Sequence, residues 1–246
     1  MLVAPGSPDI VWRVSVPLHF AVKTRLVGLL EELGEGAALP PERTLAKEFG
    51  VSRWTMRQAI RELIADGRLR ARQGQGTFVA TPKLIQPLAL VSYTEALRAQ
   101  GQQPGRELVA FEEIEADELL SEQLGITVGD PVYRLERVLL ADGQPIGLET
   151  TYMSVARFPT LRDVLKPEGS LYRCLTDELG VRFGEGEELV ETVIATPREA
   201  DLLKATQSLP MLLLHRTSRD TDGRPIEAVR SLYRGDRVGF RATLRP

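Results

Sequence analysis

Between residues 53 and 61 three arginines recur at every fourth position, Arg53, Arg57 and Arg61, with Trp54 and Gln58 beside them. A guanidinium can bridge O6 and N7 of guanine, and a carboxamide can do the same to adenine, so these side chains are able to read base edges. The same stripe is also the ordinary polar face of a solvated helix, and taken alone it leaves both readings open. A second basic set follows. Arg68, Arg70 and Arg72 alternate on one side of a strand pattern that runs into Gln73-Gly74-Gln75-Gly76 and returns as Thr77-Phe78-Val79. Glycines at that tip let a backbone approach a sugar-phosphate edge. Other chemistry has little support. Cys174 is the one cysteine, which excludes an internal disulfide and a CxxC zinc pair, and His19 and His215 lack metal-like spacing. No metal and no cofactor are expected.

The elements that must hold these side chains can be read from periodicity. Val22, Leu26, Leu29, Leu30 and Leu33 follow a helical repeat that Gly34 and Gly36 end. A short helix over residues 41–49 opens on Pro41, tolerated in a first turn, and turns Leu45, Ala46 and Phe49 inward. Gly50-Val51-Ser52 makes a tight turn with Ser52 as N-cap. In the helix over residues 53–66, Met56, Ala59, Ile60, Leu63 and Ile64 form the buried stripe and the arginines lie on another face. A short helix, a glycine turn and an Arg/Gln-bearing helix make a helix-turn-helix, and the basic hairpin directly after it makes a wing.

Charge is distributed to match. Net charge is -3, with +3 on residues 17–82 and -6 on residues 83–246, so a basic head precedes an acidic body. No apolar run approaches a membrane span and no signal-peptide pattern opens the chain. The expected location is the cytoplasm.

In the body the pattern is α+β, with a mainly antiparallel sheet. Strands are expected over residues 108–114, 132–140, 146–153, 189–195, 211–217, 226–233 and 238–244. Helices are expected over residues 117–124, from Ser170 to about 179, and over 198–204. An internal repeat stands out: residues 132–137, then Asp142-Gly143-Gln144-Pro145-Ile146, echo residues 211–216, then Asp222-Gly223-Arg224-Pro225-Ile226. Each unit follows a short helix. Two such copies predict a pseudo-twofold sheet with a ligand pocket between its halves. The resulting organisation is an extension over residues 1–16, a head over 17–80, a linker over 81–90 and a body over 91–246.

The run Leu39-Pro-Pro-Glu-Arg-Thr-Leu-Ala, then Phe49-Gly-Val-Ser-Arg, Thr55-Met-Arg-Gln-Ala and Arg72-Gln-Gly-Gln-Gly-Thr-Phe-Val, resembles the DNA-binding domain of the GntR regulators. The resemblance implies operator contacts from Arg43, Ser52, Arg53, Thr55 and Arg57, and from Gln73 and Gly74 in the wing. Pro41 stands where serine is usual and Trp54 where a smaller residue is usual. Trp54 is either an apolar contact to a thymine methyl or sugar, or a packing residue at the groove edge, and packing is the expectation.

From Ser92-Tyr93-Thr94-Glu95 to Ser231-Leu-Tyr-Arg-Gly-Asp-Arg237, the body is similar to the effector (UTRA) domain of the histidine-utilisation-repressor subfamily, which shares its fold with chorismate lyase. That similarity implies pocket roles for Ser92, Tyr93, Arg137, Glu149, Ser170, Tyr172, Glu227 and Tyr233. Ser170 would open a helix whose free amides hold an anion, Arg137 would supply a bidentate charge, and Glu149 and Glu227 would hold hydroxyls or an amine. Phosphosugar-binding members carry a second arginine two residues after the position of Arg137. Leu139 stands there, which points to a less charged effector. Arg137 could instead pair structurally with Glu149 or Glu136, and the tyrosines could be core.

Together these readings predict a homodimeric, effector-controlled transcription regulator on double-stranded operator DNA, binding a small metabolite such as an anion or sugar derivative. A constitutive DNA binder with a vestigial pocket and a chorismate-lyase-like enzyme are the alternatives. Against the enzyme, Cys174 has no histidine beside it, and nothing places a proton acceptor between Glu149 and Glu227.

Overall fold

The structure, a computed structural model, describes residues 18–72, 74–80 and 83–244, and its contacts divide the chain between residues 82 and 83. The expected extension over residues 1–16 lies outside the described residues, as do Gln73 of the wing and residues 81 and 82 of the linker.

In the head, α1 (Leu18–Leu33), α2 (Glu42–Phe49) and α3 (Arg53–Ala65) precede a hairpin of β1 (Leu69–Arg72) and β2 (Gly76–Val79). Leu26, Leu45, Met56 and Leu63 are fully buried in a single core that also takes Leu69 and Val79 from the hairpin. Gly50 closes α2 in the left-handed region at φ 67°, which a residue with a Cβ adopts only at a cost. Ser52 then caps α3, its hydroxyl accepting from the amide of Thr55 at 3.1 Å. The amide of Leu39 donates to Thr77 O, which ties the loop before α2 to the wing.

The second unit contains β3 (Leu84–Pro87), α4 (Tyr93–Arg98), β4 (Pro104–Glu115), α5 (Glu118–Leu124), β5 (Pro131–Ala141), β6 (Gln144–Ser154), α6 (Leu161–Val164) and α7 (Leu171–Arg173). It continues with β7 (Phe183–Ile194), α8 (Pro197–Leu202), β8 (Pro210–Asp220), β9 (Pro225–Arg234) and β10 (Val238–Arg241). Six strands make one antiparallel sheet in the order β4-β5-β6-β9-β8-β7. This order places two three-stranded halves back to back.

The internal repeat is visible in the register. In the first hairpin Leu139 pairs with Gly147 and Leu140 with Pro145, leaving Ile146 as the extra residue of a bulge. In the second, Ser218 pairs with Glu227 and Arg219 with Pro225, leaving Ile226. Both isoleucines are buried. The halves meet where Thr150 faces Arg230, which are equivalent positions, as a twofold relation requires. By the same correspondence Arg137 matches Arg216, and Gly147 matches Glu227.

Three expectations need revision. Residues 84–87, read as linker, form β3, which pairs in parallel with β10. Its proline ends the strand, where the missing amide costs no ladder bond, and its partner lies about 150 residues away, beyond the reach of local pattern. Second, the helix expected from Ser170 to about residue 179 is only a three-residue α7 followed by a π-helical turn, Cys174–Glu178. Third, α4 and α6 were not expected, being too short to show a period.

Candidate nucleic-acid interface and effector cavity

On the head, Arg43, Ser52, Arg53, Arg57, Arg61 and Gly74 are exposed, while Thr55 is buried at 8% relative exposure. The Thr55 hydroxyl lies 2.8 Å from that of Ser52 and so braces the cap of α3. Arg57 is engaged with α2, its Nε donating to Glu42 Oε2 at 3.0 Å and its Nη2 lying 2.9 Å from the same oxygen. Trp54 is 73% exposed, so the packing role expected for it is overturned, and the indole stands in solvent beside Arg53. One exposed surface of α3 therefore offers a cation, an aromatic face and a second, tethered cation.

The eight side chains singled out in the body converge. Ser92, Tyr93, Arg137, Glu149, Ser170, Tyr172, Glu227 and Tyr233 all line one cavity of about 70 Å³. Its floor is the sheet face on which Arg137, Glu149, Ser231 and Leu214 form one cross-strand row, and Glu188, Arg216, Val229 and Thr151 the next. Its roof includes Gln86 and Pro87 of β3 and Phe240 of β10. Arg106, Glu188, Arg216 and Ser231 also line it and were not anticipated. Arg216 was legible from the repeat, as the counterpart of Arg137. Arg106 and Glu188 carry no motif and are revealed only by strand register.

Two ion pairs organise this interior. Arg137, 1% exposed, donates from Nη2 to Glu149 Oε1 at 3.0 Å and from Nη1 to Gly169 O at 3.0 Å. Of its two suggested structural partners it takes Glu149; Glu136 is held instead by Arg198, at 2.6 and 2.8 Å, and by Arg134. In the other half Arg216 makes a bidentate pair with Glu188, with donor distances of 3.1 and 2.9 Å. Tyr172 donates to Glu227 Oε1 at 2.7 Å and Ser218 donates to the same oxygen at 3.0 Å. Burial, reinforced by Glu149, still pushes the Glu227 carboxyl above the usual carboxylate range. Tyr93 donates to Leu140 O, and burial pushes its hydroxyl pKa up as well. Ser92 and Ser170 meet at 2.9 Å between hydroxyls, and the Ser170 hydroxyl also accepts the amide of Arg173. That amide is therefore already satisfied, and the three-residue α7 offers a smaller anion site than a full helix would.

The unpaired atoms mark the site most clearly. Among the described residues, the buried side-chain nitrogens and oxygens without a partner are Gln86 Nε2, Arg106 Nε, Arg137 Nε and Glu227 Oε2. All four residues line this cavity. Buried polar groups are satisfied in the great majority of cases, and leaving one unmet costs about 1–3 kcal/mol. Four in one place give this cavity an unusually polar lining.

Comparison with known proteins agrees with this division. Residues 22–79 match the family described as bacterial regulatory proteins, gntR family, and residues 99–239 match the UTRA domain. The chain is 46% identical to the HTH-type transcriptional repressor PhnF of Mycolicibacterium smegmatis over 92% of each chain. It is 31% identical to the HTH-type transcriptional repressor NagR of Bacillus subtilis, over 92% of this chain and 93% of that one. The crystal structure of PhnF from Mycobacterium smegmatis superposes with a TM-score of 0.68, covering 91% of this chain and 99% of the other. A winged head with an exposed basic helix, joined in sequence to a pseudo-twofold sheet enclosing a polar cavity, is a regulator's architecture rather than an enzyme's, and the chain belongs to the GntR family of bacterial regulatory proteins, as a transcription regulator with a UTRA effector domain.

Proposed function

We propose that this protein is a cytoplasmic repressor that binds a palindromic operator as a homodimer and releases it when a small polar metabolite enters the cavity of the second unit. The observation that carries the effector site is the gathering of four unpaired buried polar atoms in one cavity. Its ligand contacts are Ser92, Tyr93, Arg137, Glu149, Ser170, Tyr172, Glu227 and Tyr233. Operator contacts come from Arg43, Ser52, Arg53 and Arg57 and from the wing at Gly74 and Gln73, the last lying outside the described residues. Trp54 joins them in place of the buried Thr55. The repressor assignment follows the names of PhnF and NagR, neither of which mentions histidine utilisation. No helix among the described residues is long and apolar enough to cross a membrane.

A homodimer follows from the size of the head: one recognition helix reads only a few base pairs, so specificity needs two half-sites about one helical turn apart. A route for release lies in the roof. At about 70 Å³ the cavity is small beside the roughly 300–1,000 Å³ of ordinary small-molecule pockets. A larger effector must displace roof residues such as Gln86 and Pro87, on the strand that follows the head in sequence. The test is selection of bound fragments from genomic DNA with the full-length protein, then light scattering of the free and DNA-bound forms. Enrichment of one palindromic sequence bound by a dimer is expected. Absence of any enriched sequence, or a monomer in both states, would overturn the reading.

A further inference from the structure

Resting on the operator reading above, a specific base readout follows from where Trp54 stands on α3. At about 100° per residue, the buried positions Thr55, Met56, Ala59, Ile60 and Leu63 define the inward direction of this helix. Trp54 lies within about 10° of the opposite, outward direction, as does Arg61 two turns further on. One turn after Trp54, Arg57 and Gln58 flank that outward line by about 50° on either side. Arg53 stands only about 90° from the core direction, on the shoulder of the helix. Trp54 is therefore the side chain of the first turn that points most directly away from the head. Its indole is 73% exposed and meets no ring or cation among the described residues. A lone exposed apolar residue is ordinary on a protein surface. A tryptophan at the centre of a face otherwise made of Arg53, Arg57, Gln58 and Arg61 is not.

We propose that the Trp54 indole lies over the 5-methyl group of a thymine in each operator half-site and makes α3 select thymine at that position. In a helix-turn-helix, the first residues of the second helix are the ones that meet base edges in the major groove. That groove presents hydrogen-bonding atoms and one apolar group, the thymine methyl. Arginine and glutamine, as at positions 57 and 58, suit the hydrogen-bonding atoms. The indole has a single N–H donor and no acceptor, so it cannot form the paired hydrogen bonds by which a purine is read. What it brings to the groove is its apolar face, and taking that face and a methyl out of water together is favourable. Arg53, Arg57 and Arg61 around it supply the attraction to phosphate that draws the face in. Trp54 thus adds a contact that salt does not weaken to a surface whose other contacts are ionic.

The test uses full-length protein and the palindromic fragment it enriches from genomic DNA. Each thymine is replaced by deoxyuridine, which removes the methyl and nothing else, one symmetric pair of positions at a time. Affinity is read by fluorescence anisotropy over a range of salt concentrations. For wild type, one pair should weaken binding by about 4-fold per half-site, the worth of burying one methyl-sized group. Trp54→Ala should bind the thymine operator more weakly and should no longer distinguish thymine from deoxyuridine at that pair, as a double-mutant cycle requires of a direct contact. Trp54→Phe, which keeps a ring, should retain the distinction at the same pair. The slope of log affinity against log salt should be the same in Trp54→Ala as in wild type, because no phosphate contact is lost. A wild type indifferent to every deoxyuridine pair would overturn the proposal, and so would a Trp54→Ala protein with undiminished sensitivity at the pair. A shallower salt slope in Trp54→Ala would also overturn it, by assigning the side chain to the backbone. Those results leave the operator reading in place; that reading fails separately, if no fragment is enriched at all.

Discussion

Glu227 occupies the position that its sister hairpin gives to Gly147, so at this position of the repeat only the second half sends a carboxyl into the cavity. Because burial raises its pKa, the folded chain holds this proton to higher pH than the unfolded chain does. The resulting stabilisation is complete below the ordinary carboxylate pKa and is lost as pH rises through the raised, folded value. Glu227→Gln cannot ionise and keeps an acceptor for Tyr172 and Ser218. It is expected to flatten the pH dependence of ligand-free stability, checked by thermal denaturation across roughly pH 4 to 8; superimposable profiles would contradict it. On the head, Arg53 has no ion-pair partner among the described residues, while Arg57 is paired with Glu42. Arg53→Ala should therefore cost about 1–3 kcal/mol on a specific operator, and Arg57→Ala should fall toward the lower end of that range. Trp54→Ala should leave stability within about 0.5 kcal/mol, since the side chain is exposed, yet weaken operator binding. Footprints unchanged in all three variants would remove α3 from the interface.

At the scale of elements, the hairpin of β5 and β6 shapes the cavity wall through a close contact. A Cβ added at Gly147 would stand 2.7 Å from Cδ1 of Tyr233, so the glycine is required by packing rather than by backbone conformation. Gly147→Ala is expected to destabilise by about 1–3 kcal/mol, as overpacking does, and to displace a ring that lines the cavity. An unchanged denaturation midpoint would show that the ring yields freely. The helices α1 and α3 were legible because one face of each is buried, and the two hairpins through their repeated Asp-Gly turns, which also disclosed the twofold relation. The eight pocket residues were legible through resemblance. β3 was not, because a parallel partner far along the chain leaves no local trace, and Pro82 and Pro87 imitate a linker. Thr55 faces inward and Trp54 outward because adjacent residues at the start of a helix point about 100° apart, and family motif alone does not fix which faces outward. Arg106 stayed hidden because its significance lies in the residue across the ladder, not in its own segment.

At the scale of the molecule, the central claim is that occupancy of the cavity changes affinity for operator. Linkage requires the reverse effect to be equal, and coupling in regulators of this kind is typically about 1–3 kcal/mol, or 5–150-fold. Arg137 bears on this claim because it faces the cavity, while the DNA-reading helix belongs to the other unit. Truncating it to alanine would strand Glu149 and risks roughly 3–5 kcal/mol of stability; the double variant Arg137→Gln/Glu149→Gln removes the pair without leaving either charge alone. The most direct measurement is fluorescence anisotropy on the selected operator, titrated with a panel of small polar metabolites, using wild type and this double variant. Wild type is expected to lose about 5–150-fold in operator affinity with the effective ligand, and the double variant to bind operator as tightly as ligand-free wild type but without responding. A double variant that responds as wild type does would contradict the account, as would a wild type whose operator affinity no member of the panel alters.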